Sequence, residues 1–199
     1  MTLERFLAWR IDESAGFDAA WATITGTRLR AEGRAVGQRP RPWWTAYELE
    51  TGDDFVTRRV SVEARWEGDR ATLDLRRSDD GQWLANGVAR PDLSGSLDCD
   101  LGACPLTNTM PVLRHGLLAT PGDHHLLMAF IEIPELRVVA SRQRYTHVRP
   151  GDPDGAVVTY RSDSFRSDLV FDRDGFVLVY PQLGERVRPD VAGSSGHPR

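Results

Sequence analysis

The segment LDCDLGACPLTNTMPVLRHGLL, residues 97–118, holds the densest set of side chains able to do chemistry. Asp98 and Asp100 stand two apart, which puts both on one face of a strand, and two such carboxylates can divide general acid and base roles. A Pro-bounded run, PLTNTMP, and then Arg114 follow them. Thr107, Asn108 and Thr109 are short polar side chains that hydrogen-bond nearby backbone, so a loop that satisfies its own amides is the plain expectation. The functional alternative is a polar clamp at a pocket mouth, with Asn108 and Arg114 gripping hydroxyl or anionic groups of a ligand. No nucleophile or metal motif accompanies the carboxylates, so binding outweighs acid/base catalysis here.

Other chemistries are excluded or weakened by composition. All 25 basic residues are arginine. Without lysine there is no phosphate-loop lysine, no Schiff-base or pyridoxal phosphate lysine, no Ser-x-x-Lys hydrolase and no complete kinase signature. A GC-rich genome explains the bias. No G-x-S-x-G elbow occurs, although a triad assembled from distant residues stays open because triads are defined by geometry. Cys99 and Cys104 are the only cysteines, too few for a Cys-rich zinc site, and read as an inert buried pair rather than a redox pair. The histidines, His115, His124, His125, His147 and His197, lack H-E-x-x-H spacing, so neither a metal nor a cofactor is expected. The stretch RLRAEGRAVGQRPRPWW interleaves Arg28, Arg30, Arg34, Arg39 and Arg41 with Trp43 and Trp44, a pattern compatible with single-stranded nucleic acid. The chain is net acidic, with charge −4 and pI near 5.7, and a phosphate backbone needs a concentrated positive field, so a solvated strand face is the better account.

The elements that must position these residues read with a period of two. In TRRVSVEARW, Val60, Val62, Ala64 and Trp66 alternate with Arg59, Ser61, Glu63 and Arg65, a half-buried strand. Leu73 and Leu75 repeat the pattern before SDDG, and Phe165, Ser167, Leu169 and Phe171 repeat it before DRDG. Asp80-Gly81 and Asp174-Gly175 predict two-residue hairpin turns, since such turns need positive φ. In GFDAAWATIT, Phe17, Ala20, Trp21 and Ile24 fit helical spacing, while alternating Thr23, Thr25 and Thr27 with Gly26 favour a strand. The expectation is an antiparallel β protein. Pro- and Gly-rich breaks at 37–42, 90–96 and 149–155 are too short for interdomain linkers, which leaves one domain. Tyr47, Phe55, Leu73, Leu75 and DDG are echoed by Tyr160, Phe165, Leu169, Phe171 and DRDG, with one extra hairpin in the first copy.

The 199 residues are 40% hydrophobic and 27% charged, with mean hydropathy −0.41, an ordinary soluble globular composition. MTLERFLAWRIDES has no continuous apolar run, so it reads as neither a secretory signal nor a membrane span, and a cytoplasmic protein is expected. Trp43, Trp44, Trp66, Trp83, Tyr47, Tyr145, Tyr160 and Tyr180 lie on or beside the expected strands and suit either core filling or a curved sheet enclosing a cavity.

The stretch DCDLGACPLTNTMPVLR (98–114) resembles the signature of the bacterial putative glycolipid-binding family, formerly a domain of unknown function. WWTAYELETGDDFVTRRVSV (43–62), QRYTHV (143–148) and FRSDLVFDRDGFVLVYP (165–181) agree in order. Relative to the family pattern, Leu106 replaces a common aromatic and Met110 a common Leu, both keeping apolar character. The resemblance implies one domain over residues 1–187, built as a spiral β-roll or half-barrel like the periplasmic lipoprotein carriers; the small, polar stretch RPDVAGSSGHPR reads by composition as a flexible tail at 188–199. It further implies noncatalytic binding of a glycolipid or similar amphiphile in an apolar cavity and brings no catalytic residues; the alternative, a hydrolase or other enzyme acting on a lipid or sugar conjugate, rests on Asp98, Asp100 and Arg114 standing in one segment. Thr107, Asn108, Thr109, Arg114, Tyr145 and Tyr180 are the positions it marks as lining or supporting the site.

Overall fold

The computed structural model describes residues 1–151 and 154–188. They form one 15-stranded sheet made of two meanders. The first runs through β1 (Thr2–Ile11), β2 (Gly16–Thr25), β3 (Arg28–Gly37), β4 (Trp43–Thr51), β5 (Thr57–Trp66), β6 (Asp69–Arg77), β7 (Trp83–Ala85) and β8 (Val88–Ala89). The second runs through β9 (Asp98–Leu101), β10 (Asp123–Ile131), β11 (Val138–Arg149), β12 (Ala156–Ser162), β13 (Phe165–Phe171), β14 (Val177–Tyr180) and β15 (Gly184–Arg186). The meanders join where β1 pairs with β15. Every pairing is antiparallel except β9 with β10. The mainly β expectation therefore holds, and the architecture is that of a β-roll or half-barrel.

Alternation decides which face is core. On β5, Val60, Val62 and Ala64 are buried while Arg59, Ser61 and Glu63 are more open. The ambiguous N-terminal segment is β2, and its helically spaced residues divide between faces: Ala20 points inward, whereas Phe17 and Trp21 point out. Trp21 packs on Phe6 across the strand pair, ring centroids 5.0 Å apart. Two inner-face glycines on β3 make room for large neighbours on β4. A Cβ at Gly33 would lie 2.3 Å from the Tyr47 ring, and one at Gly37 would lie 2.5 Å from that of Trp43.

The hairpin signals mark real turns of a different size. Gly81 and Gly175 do adopt positive φ, at 86° and 88°, but the connections span Ser78–Gln82 and Asp172–Phe176, longer than the two residues expected. In the second, the Asp172 carboxylate accepts the backbone N–H groups of Asp174 and Phe176, which rewards a wider loop than a tight turn allows. The internal echo places Tyr47 and Leu73 on β4 and β6 with β5 between them, but Tyr160 and Leu169 on the adjacent β12 and β13. All but Arg188 of the expected tail lies outside the described residues.

Candidate functional site

The segment after β9 leaves the sheet and fills the roll. Pro105 opens a single 3₁₀ turn, Pro105–Asn108, which runs into α1 (Thr109–Arg114). Pro suits the first turn of a helix because its missing N–H has no partner there anyway. Gly116, at φ 63°, ends α1: its N–H reaches the Leu113 carbonyl and the Leu117 N–H reaches that of Val112, closing the helix end. Leu106, Thr109, Met110 and Val112 are completely buried. The run PLTNTMP is thus a plug inside the curved sheet.

Around the plug lies a buried polar layer. Arg114 Nη1 donates to Asp98 Oδ1 at 2.7 Å and Nη2 donates to Oδ2, a bidentate pair with both side chains buried. Burial pushes the Asp98 carboxyl up, against the pull of Arg114. Asp100 takes the Gln143 amide N–H at 2.7 Å and lies 2.9 Å from the Thr107 hydroxyl, and it too is pushed up by burial. The Tyr145 hydroxyl donates to Asn108 Oδ1 at 2.9 Å, and Asn108 Nδ2 donates to the Pro105 carbonyl at 3.3 Å. These contacts fix the Asn108 side chain before any ligand arrives.

Beside the plug the sheet leaves a cleft of about 1130 Å³. Trp43, Leu101, Phe130, Ile133 and Leu183 supply apolar walls. Asn108, Tyr160, Tyr180 and Phe165 line a mixed end, where the three aromatic rings pack with centroids 5.9 to 6.3 Å apart. Asp100 and Ser14 also reach the surface of the cleft. Cys104 lines it as well and connects to a second polar knot, because its thiol lies 3.3 Å from the Tyr47 hydroxyl, which donates to Asp18 Oδ1 at 3.1 Å. Burial pushes the Asp18 carboxyl up to about 7, against bonds from Cys104, Tyr47 and the Ala19 N–H. Burial also raises the Cys99 thiol to about 12 and the Cys104 thiol well above its ordinary value, so both free cysteines are poor nucleophiles.

The family model described as putative glycolipid-binding matches residues 6–186. The chain belongs to this family. It is also similar to a solved crystal structure of a DUF1089 family protein from Pseudomonas aeruginosa, at 27% identity and a TM-score of 0.70, covering 85% of this chain and 92% of that one. No curated protein matches it.

For a member of the glycolipid-binding family, the expected site residues divide three ways. Asn108 and Tyr180 line the cleft. Thr107 and Tyr145 stand behind it, Thr107 on Asp100 and Tyr145 on Asn108. Arg114 and Thr109 lie apart from the cleft lining: Arg114 is taken up by Asp98, and the Thr109 hydroxyl is buried without a partner among the described residues. The sequence gives no local sign that Ser14, Phe130, Ile133 and Leu183 belong to the site, because separate segments bring them together, and Leu101 sits in the marked 97–118 segment without a distinguishing signal. Tyr160 and Phe165 carried a signal as aromatics on alternating strands. Among the described residues no group of three or more His, Cys, Asp or Glu side chains is placed to hold a metal, and no helix is long and apolar enough to cross a membrane.

Proposed function

We propose that this protein binds a glycolipid or closely similar amphiphile without chemical turnover, its apolar chain held in the cleft beside the plug and its headgroup at the end formed by Asn108, Tyr160, Tyr180 and Phe165. The observation carrying the proposal is the cleft itself. At about 1130 Å³ it slightly exceeds the usual range of small-molecule sites, and its walls combine apolar side chains with polar and charged groups, as an amphiphile requires. Each buried methylene contributes about 0.8 kcal/mol, so ten contribute roughly 8 kcal/mol before losses. One hydrogen bond from Asn108 or a tyrosine adds about 1 kcal/mol. Chain burial therefore sets affinity, and the polar end sets headgroup choice. Family membership supports the same class of ligand.

Asp98 and Asp100 serve the fold in this reading: Arg114 occupies both oxygens of Asp98, and neutral donors hold Asp100. Two free, buried cysteines fit the reducing cytoplasm, the compartment included in this proposal. Native mass spectrometry of gently purified protein, before and after organic extraction, tests the binding. A discrete mass lost on extraction, and regained on incubation with bacterial lipid extract, is the expected result. Protein that stays empty after that incubation refutes it.

A further inference from the structure

The charges around the cleft are unequal. Glu13, Asp100, Glu132, Glu135 and Asp163 line it, against Arg39 as its one basic residue among the described residues. Glu132 and Glu135 are neutralised by Arg137 and Arg41. Among the described residues no ion pair involves Glu13, Asp100 or Asp163, and Arg39 spends a guanidinium N–H on the backbone carbonyl of Asp12. A phosphate headgroup is normally held by clustered arginine forks, whereas this lining sets a single arginine, Arg39, among carboxylates.

A second observation points to a ligand rich in hydroxyls. Ser14 lines the cleft at 7% exposure, and its Oγ has no hydrogen-bond partner among the described residues. Buried hydroxyls are nearly always paired, and because Ser14 also lines the cleft a ligand hydroxyl is a partner that can complete its bonding. Asn108, held by Tyr145, lines the same cleft and has one amide N–H without a partner among the described residues. Phe165, exposed and backed by the buried rings of Tyr160 and Tyr180, offers an aromatic surface that suits the C–H face of a sugar ring, and carboxylates accept bonds from its hydroxyls.

We propose that the cleft selects an uncharged, polyhydroxylated headgroup and rejects an anionic phosphate headgroup, with Ser14 and Asn108 bonding the sugar and Glu13 and Asp163 repelling the phosphate. This rests on the amphiphile-binding reading above and adds the sign of the selection. The test loads delipidated protein with monoglucosyl diacylglycerol or with phosphatidylglycerol of the same acyl chains, read by native mass spectrometry at low salt. The glucolipid is expected to load at least about tenfold more readily, because like charges across an interface are strongly disfavoured.

Glu13→Gln with Asp163→Asn should raise phosphatidylglycerol loading and narrow that ratio. Both residues are exposed, and Asp163 has φ 48°, a conformation asparagine adopts readily, so the variant keeps its fold. Equal or preferential loading of phosphatidylglycerol by the unaltered protein overturns the selection while leaving amphiphile binding intact, as does a ratio that the double variant fails to change. Loading of neither lipid overturns the selection together with the binding reading beneath it.

Discussion

Replacing Asp18 by asparagine isolates the buried knot behind the cleft. Asp18 is fully buried, and its carboxyl holds its proton up to about pH 7 instead of 3.8 because burial penalises the charged form. In the unfolded chain the same group ionises near 4, so between pH 4 and 7 the native state binds the extra proton. Native stability therefore falls as pH rises through that window and is level above it, as far as this group is concerned. With about 1.4 kcal/mol for each tenfold change in proton affinity, the loss from pH 4 to pH 8 amounts to roughly 4 kcal/mol. The substituted amide does not titrate, yet it keeps an oxygen to accept from the Tyr47 hydroxyl, whose bond to Asp18 is 3.1 Å. Urea unfolding followed by tryptophan fluorescence at pH 4.5, 6 and 8 gives the comparison. The difference in stability between Asp18→Asn and the unaltered protein should move in favour of the variant by several kcal/mol from pH 4.5 to 8, with no change in the urea slope. Subtracting the two curves removes the other carboxylates, which titrate alike in both. A difference that stays constant across the range refutes the claim that Asp18 folds protonated and buried.

Two further outcomes test the plug. Arg114→Met leaves the Asp98 carboxyl buried and unpaired and should cost about 3–5 kcal/mol in urea unfolding, while pairing it with Asp98→Leu should recover most of that loss; an equal loss in the double variant would show that the cost lies in packing. Thr109→Val removes a hydroxyl that is buried without a partner and keeps the shape, so thermal unfolding should show a gain of about 1 kcal/mol and lipid loading should be unchanged; reduced loading would place Thr109 at the ligand.

Strand identity was legible because burial on a two-sided sheet imposes a period of two. Val60, Val62 and Ala64 are inward as expected, and the threonines of β2 resolved correctly a segment whose apolar residues fit a helix. The loops were less legible: Asp-Gly signals positive φ, but side-chain bonds such as those of Asp172 decide the loop length. Pairings between distant segments leave no local trace, so neither the joint of β1 with β15 nor the parallel β9–β10 pair was visible. The site suffered from the same cause. Ser14, Trp43, Asn108, Phe130, Tyr160 and Leu183 face one cleft from six separate parts of the chain. Arg114 was visible as a cation near carboxylates, but only the fold shows that its partner is Asp98, sixteen positions earlier.

The most distinctive segment in the sequence consequently carries fold information first and site information second. PLTNTMP buries Leu106, Thr109 and Met110 completely, with Val112 directly after it, and Thr107 and Asn108 find hydrogen-bond partners inside the roll, so composition and spacing there are constrained without reference to a ligand. Of its seven residues only Asn108 lines the cleft, with Cys104 just before the run doing so as well. Asn108 joins the two tasks: Tyr145 and the Pro105 carbonyl hold its amide, the residue lines the cleft, and one amide N–H has no partner among the described residues. A polar group fixed in this way loses little freedom when it binds, which lets a single amide discriminate between headgroups even though the acyl chain supplies most of the binding free energy.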